Sequence, residues 1–304
     1  MIKKLIFISL LFLSQFSNAQ KYVDLFSINY GKSAVTSYEN GSQSTTITNI
    51  DIDFTLPIKL DEKNAIITGI DFSNNILQLF PDASYNNLYL TRIKTGINII
   101  HSEHWSGTYI FLPKISSDYI NVSMEDFYIG GLVVLKYRKR NNLSYKFGLY
   151  AGNEAFGLFI SPVIGLYYLS PNSSFEMNLY LPSNADINYS LTNKTKAGID
   201  FVARGKSYKL TTDDVRSSYA ENNSLEFSSY LQNNSLNKNM LIRLKLGFST
   251  NSFEVYPIDQ KITFATTLLK FGDHRTQLNS TLSSSPFIKI EAIYRFDIPT
   301  SKEK

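Results

Sequence analysis

Between residues 240 and 249 the chain alternates without a fault. Met240, Ile242, Leu244, Leu246 and Phe248 occupy one parity, and Leu241, Arg243, Lys245, Gly247 and Ser249 the other. A β-strand sends successive side chains to opposite faces, so one face of this segment is wholly apolar while the other bears two strong cations. A chain built from such strands must keep oil on one side and water on the other. Similar blocks of about ten residues recur from Tyr22 almost to the C-terminus.

Fourteen candidate strands follow, at 22–31, 46–56, 65–73, 88–99, 105–112, 127–137, 143–151, 160–169, 175–181, 186–191, 195–204, 225–231, 240–249 and 286–296. Many blocks have the length that crosses a bilayer at a tilt, whereas ordinary strands run nearer five or six residues. Connection lengths also alternate. Most odd-to-even connections are long (32–45, 74–87, 113–126, 205–224, 250–285), and the even-to-odd ones are short (100–104, 138–142, 170–174, 233–239). A secreted β-sandwich would alternate polar and apolar residues as well, but nothing in a sandwich sustains that parity. The expected fold is therefore all-β. It is a single antiparallel up-and-down transmembrane β-barrel of about 14 strands, with 12 and 16 as the neighbouring even counts, long extracellular loops and short periplasmic turns. The short outer connection near Pro182 is the exception to the parity.

The N-terminus supports export. Met1-Ile2-Lys3-Lys4 precedes an apolar run at 5–13, and Ser17-Asn18-Ala19 supplies a small-x-small cleavage site before Gln20. This order predicts a cleaved signal peptide over 1–19 and a mature domain over 20–304, with a short periplasmic tail from about 297. Lys3 and Lys4 leave with the leader, so 30 basic side chains fall to 28 against 26 acidic ones, a balance of +2. That balance gives no electrostatic case for nucleic acid. Cys is absent, which removes disulfides, lipid attachment through Cys and thiolate chemistry. Mean hydropathy is only −0.13, as a barrel's two faces average out.

The inward parity holds the functional candidates. Asp51, Asp53 and Asp71 lie on the second and third strands, and Arg92 and Lys94 on the fourth. Arg243, Lys245, Lys289 and Arg295, with Glu291 among them, form a basic wall on the last two strands. Lys136 and Lys146 share the polar parity of the sixth and seventh strands but are not among these ten candidates. Two arrangements fit these lumen-lining candidates. Opposed charged walls would set a transverse field in an open pore, while mutual pairing would fill a closed one. The sequence His101-Ser102-Glu103-His104 has the residue types of a lipid acyl hydrolase, but it is consecutive in a short periplasmic turn and reads as a solvated turn. No catalytic site, metal site or cofactor is expected. Tyr22, Trp105, Tyr137 and Tyr294 are expected in outward aromatic girdles. Within 259–272, Ile262, Ala265, Leu268 and Leu269 recur at helical spacing, so that loop could fold inward as a helix or remain a surface loop.

Several segments carry a resemblance. They are Asn18-Ala19-Gln20, Phe111-Leu112-Pro113-Lys114, Pro162-Val163-Ile164-Gly165-Leu166-Tyr167, Leu179-Tyr180-Leu181-Pro182, Ile187-Asn188-Tyr189-Ser190-Leu191 and Ile290-Glu291-Ala292-Ile293-Tyr294-Arg295-Phe296. Together the mature chain resembles an uncharacterised family of Bacteroidota outer-membrane barrels. The resemblance implies an outer-membrane address in a Gram-negative envelope and contacts with membrane lipid and the outer-membrane assembly machinery. It assigns no activity. The expected role is a porin-like passive channel for small polar solutes or a chiefly structural barrel, not an enzyme. The alternatives are an outer-membrane lipid-modifying enzyme and a ligand- or partner-binding barrel acting through its external loops. Little sequence precedes the first strand, an expectation that weighs against a plug domain and energised uptake.

Overall fold

A computed structural model describes residues 22–39, 41–211 and 217–297. The expected leader and the tail beyond residue 297 lie outside the described residues. Fourteen strands form the wall: β1 (Tyr22–Ser33), β2 (Thr48–Lys59), β3 (Asn64–Leu77), β4 (Asn86–Ile100), β5 (Trp105–Phe111), β6 (Gly130–Arg140), β7 (Leu143–Glu154), β8 (Gly157–Leu169), β9 (Phe175–Leu181), β10 (Asn184–Ser190), β11 (Thr195–Ala203), β12 (Leu225–Asn237), β13 (Met240–Ser249) and β14 (Ser285–Asp297). Each pairs antiparallel with its neighbour in the chain. Closure comes from β1 on β14, from Tyr22↔Asp297 to Ser33↔Phe287. The fold is a closed transmembrane β-barrel, and closure leaves no unpaired strand edge running the length of the wall.

The outer wall follows the apolar parity. Ile70, Ile93, Ile164, Leu246 and Ile290 are among its exposed side chains. At the short-turn end Trp105 and Tyr137 face each other in register, with ring centroids 5.0 Å apart. Tyr294 is likewise exposed. Tyr22 departs from the expected girdle. A bulge between Asp24 and Phe26 inverts the alternation of β1, so the parity that turns Phe26, Ile28 and Tyr30 outward does not extend to Tyr22. The Tyr22 hydroxyl instead donates to Glu176 at 2.6 Å on the far wall.

Connections at one end are short: 60–63, 101–104, 141–142, 170–174, 191–194 and 238–239. At the other end lie the long loops 34–47, 78–85, 112–129, 204–224 and 250–284. Two turns there are tight, 155–156 and 182–183. The first arises because β7 and β8 rise further than their apolar pattern suggests. The second is a genuine hairpin between β9 and β10. The sixth strand begins at Gly130, because Phe127–Tyr128 pairs with Lys114–Ser117 in the loops.

The long loops fold into the mouth as a cap. Lys114–Ser117 pairs with the upper part of β4 and meets Lys206–Leu210 in parallel. Lys206–Leu210 then pairs with Ser218–Asn222, and that strand pairs with Phe253–Pro257. Tyr208, Leu210, Ala220 and Val255 pack on Leu77, Leu88 and Leu90, which are inward residues of β3 and β4. A second apolar cluster joins Tyr219, Tyr256 and Ile262 to Phe156 and Phe159. No helix forms within 259–272. That segment carries two short strands, Phe264–Ala265 and Lys270–Phe271, paired as a hairpin that lies against β8. Beneath the cap, a cavity lined by Asn49, Asn75, Asn222, Glu226, Asn251 and Lys289 measures about 30 Å³. Ligand pockets begin near 300 Å³.

Candidate functional site: the charged lumen

Strand parity places the charges, and register decides whom they meet. On β2 to β4, Lys94 Nζ lies 2.7 Å from Asp53 and 2.5 Å from Asp71, while Arg92 Nε donates to Asp71 at 2.7 Å. On the other side, Arg243 reaches Asp186 at 2.9 Å and Glu291 at 3.6 Å. Lys245 meets Asp200 at 2.7 Å and Glu291 at 2.9 Å. Lys289 meets Glu226 at 2.5 Å. Arg204 bridges the lumen, touching Glu226 at 3.1 Å and Asp51 at 3.2 Å. Arg295 pairs with Asp24 at 2.6 Å and covers the ring of Tyr22 at 3.5 Å.

Each of the ten candidates lies within an ion pair. Acids are interleaved with the basic wall, so charge is neutralised locally and does not build two opposed surfaces. The sequence reading missed Asp186, Glu226, Glu176 and Glu154. Asp186 and Asp200 are register partners, a like-charge pair that needs cations from elsewhere. Glu176 gathers Tyr22, Lys196 at 3.0 Å and Tyr167 at 3.3 Å. Glu154 lies past the expected end of its strand; it pairs with Lys114 and accepts from the Ser207 backbone at 3.1 Å.

The cap is tied by charge as well. Arg275 holds Glu221 at 2.7 Å and Asp273 at 2.8 Å. The hydrogen bond from Arg275 lowers the Asp273 carboxyl to about 2. Leu88 and Leu90 are the sequence signal for this cap: both faces of β4 are apolar there, which a wetted lumen would not favour.

The His-Ser-Glu-His turn does not assemble a catalytic group. His101 Nε2 lies 3.0 Å from the Tyr109 hydroxyl, Ser102 Oγ accepts from the Trp105 backbone at 3.2 Å, and the Glu103 carbonyl accepts from Arg138 at 2.5 Å. His104 stacks on Tyr137. Among the described residues no cluster of three His, Cys, Asp or Glu could hold a metal.

Solved structures share the barrel's outline. The COG4313 outer membrane channel from Pseudomonas putida F1 is 8% identical with a TM-score of 0.45, over 89% of this chain and 94% of that one. The P. putida toluene transporter TodX is 10% identical at a TM-score of 0.35, over 90% and 89%. The translocator domain of the autotransporter NalP from Neisseria meningitidis is 8% identical at 0.36, over 90% and 89%. A channel, a transporter and an autotransporter's translocator domain share this likeness, so it says nothing about cargo. No curated protein matches the chain. A family model described as Domain of unknown function (DUF6268) matches residues 12–263, and the chain belongs to that family.

Proposed function

We propose that the protein is an outer-membrane conduit for small polar solutes that rests closed, with the cap as its gate. The long loops then face outward and the short turns face the periplasm, the usual orientation of such barrels. The leader-like residues 1–19 support export, and the Asn18-Ala19-Gln20 ending supports a Bacteroidota envelope. Membrane lipid on the apolar wall and the assembly machinery are the partners this reading requires.

One observation carries it: beside its apolar packing, the cap meets the wall through charges. Arg204 joins Asp51 and Glu226, Lys114 joins Glu154, and Lys206 reaches Ser73 at 3.4 Å. Replacing buried ion pairs with apolar packing is often neutral or stabilising, so charge is a poor choice for a permanent plug. Charge suits two surfaces that must both accept water after they separate. A chiefly structural barrel is the second reading, favoured by the two apolar clusters under the cap. A lipid-modifying activity has no support at the His101–His104 turn, where Ser and His side chains are engaged elsewhere.

Single-channel recording tests the gate. The intact mature protein is expected to give rare, brief openings, and a variant with residues 206–222 replaced by a short Gly-Ser linker stable ionic steps. Heat-dependent gel mobility establishes that the variant barrel is folded. A folded, cap-less barrel without conductance overturns the conduit and leaves the structural barrel.

A further inference from the structure

The wall has a low place, and a distant loop fills it. β9 and β10 are seven residues each and turn back at 182–183. β5 is as short, but Lys114–Ser117 continues above it alongside β4. Among the described residues no wall strand continues β9 in that way. It pairs with β8 only from Ile164↔Leu181 to Leu169↔Glu176, so residues 157–163 of β8 rise above it without a wall strand on that side. Seven residues at a rise of about 3.3 Å and a tilt of about 40° climb about 18 Å, against an apolar band of about 25 Å. Counted from the short-turn end, where the rings of Tyr168 and Phe175 lie 6.3 Å apart, the β9–β10 turn therefore stops inside the hydrocarbon layer.

A strand edge at that depth has no water to satisfy its N–H and C=O groups. The hairpin of residues 264–271 lies along it. Phe264 and Ala265 run parallel to Leu158 and Phe159, and the Ile262 N–H donates to the Phe156 carbonyl at 2.9 Å. Running parallel to β8, the hairpin descends from the long-loop end. At its tip Thr267 Oγ1 lies 2.7 Å from Ser161 Oγ, three residues before Ile164. Its faces follow the rule of the wall. Ala265 and Ile262 join the second apolar cluster under the cap, and Lys270 turns to Glu254 at 3.0 Å and Glu221 at 3.3 Å. Phe264 takes the side of its register partner Leu158, an exposed outer-wall residue, and stacks on Phe271 with centroids 4.4 Å apart. Phe271 is exposed too, and Leu268 and Leu269 at the turn are 68% and 59% exposed. Holding two leucines out into water opposes the hydrophobic effect, whereas acyl chains accept them freely.

We propose that the hairpin of residues 264–271 is part of the lipid-facing wall, with Leu268 and Leu269 among the acyl chains of the leaflet at the long-loop end. It extends the apolar surface of Leu158, Ile164 and Leu181 over the low β9–β10 turn. Immersion requires a barrel that spans the membrane, whether or not that barrel conducts. That the leaflet is the outer one rests on the orientation proposed above.

The chain has no cysteine, so a single introduced cysteine carries a nitroxide label without background. Leu268→Cys and Leu269→Cys test the hairpin in phosphatidylcholine vesicles holding only the mature protein. Ile164→Cys on the outer wall is the lipid reference, and Glu62→Cys, exposed in a short turn, is the water reference. Heat-dependent gel mobility establishes that each labelled barrel is folded. Collision with oxygen, which concentrates in lipid, is expected to exceed collision with a water-soluble nickel chelate severalfold at both leucine positions, as at Ile164 and opposite to Glu62. A chelate that reaches Leu268 or Leu269 as freely as Glu62 overturns the proposal. Line broadening between labels at these positions reports a second copy of the chain seated on the hairpin, and overturns it as well.

Discussion

Two lysine pairs face each other across strand borders in this lumen, and they are treated differently. Lys245 and Lys289 are register partners on β13 and β14. Asp200 and Glu291 flank the first, and Glu226 flanks the second. Lys136 and Lys146 are register partners on β6 and β7, yet the ammonium of Lys146 ends on an amide oxygen and a tyrosine face. Each pair has one stem lying over a glycine, Lys289 over Gly31 and Lys146 over Gly165. The backbone arrangement is thus alike and the charge environment is not. The first pair belongs to a network that neutralises itself, whereas the ammonium of Lys146 in the second ends on neutral partners.

The largest expected effect breaks the first network. Glu226→Ala strips Lys289 of its carboxylate and leaves Arg204 with Asp51 alone, which costs about 3–5 kcal/mol by the usual penalty for breaking a buried pair. Lys146→Met removes neutral contacts and the like charge facing Lys136, and costs at most about 1–3 kcal/mol for the orphaned Asn178 oxygen. Urea unfolding from lipid vesicles measures both; equal losses would erase the distinction between the pairs.

The two glycines sharpen it further. Gly165→Ala meets the Leu179 carbonyl oxygen at 2.6 Å as well as the lysine, so its cost of about 1–3 kcal/mol persists in a Lys146→Ala background. Gly31→Ala meets Lys289 atoms alone among its nearest neighbours, and its cost is expected to vanish in Lys289→Ala. Double-mutant cycles report the two couplings. Additivity at Gly31 would contradict the packing described.

Smallest is the effect at the cap's surface. Asp273 titrates at about 2 against an ordinary 3.8, because Arg275 donates to it. A depressed carboxyl stabilises the fold above its unfolded value and loses that contribution as pH falls through the folded one. The Arg275–Asp273 tie is therefore complete above pH 3.8 and fades towards pH 2, a loss of at most about 1 kcal/mol after solvent screening. An NMR titration of the Asp273 carboxyl should show that midpoint; a value near 3.8 would mean that the arginine exerts no hold.

The barrel was legible because each strand repeats one pattern. Met240–Ser249 alone announces an apolar face and a wet one, and its observed limits match the expected ones. The signs of the lumenal charges could be read the same way. Their partners could not, since Arg204 meets Asp51 from 153 residues away and Tyr22 meets Glu176 from 154. A single bulge beside Leu25 was enough to turn Tyr22 from the girdle to the interior. Lys136 and Lys146 were visible as inward cations, but only the register of β6 on β7 sets them face to face. The cap left a faint trace in the apolar inward residues Leu88 and Leu90, which a reading focused on alternation passes over.

The cap also carries a timetable. Its members come from loops separated by most of the chain, and Arg204 can meet Asp51 and Glu226 together only when β2, β11 and β12 already stand around one lumen. The tie therefore presupposes the assembled wall: no part of the chain short of all three strands can hold it.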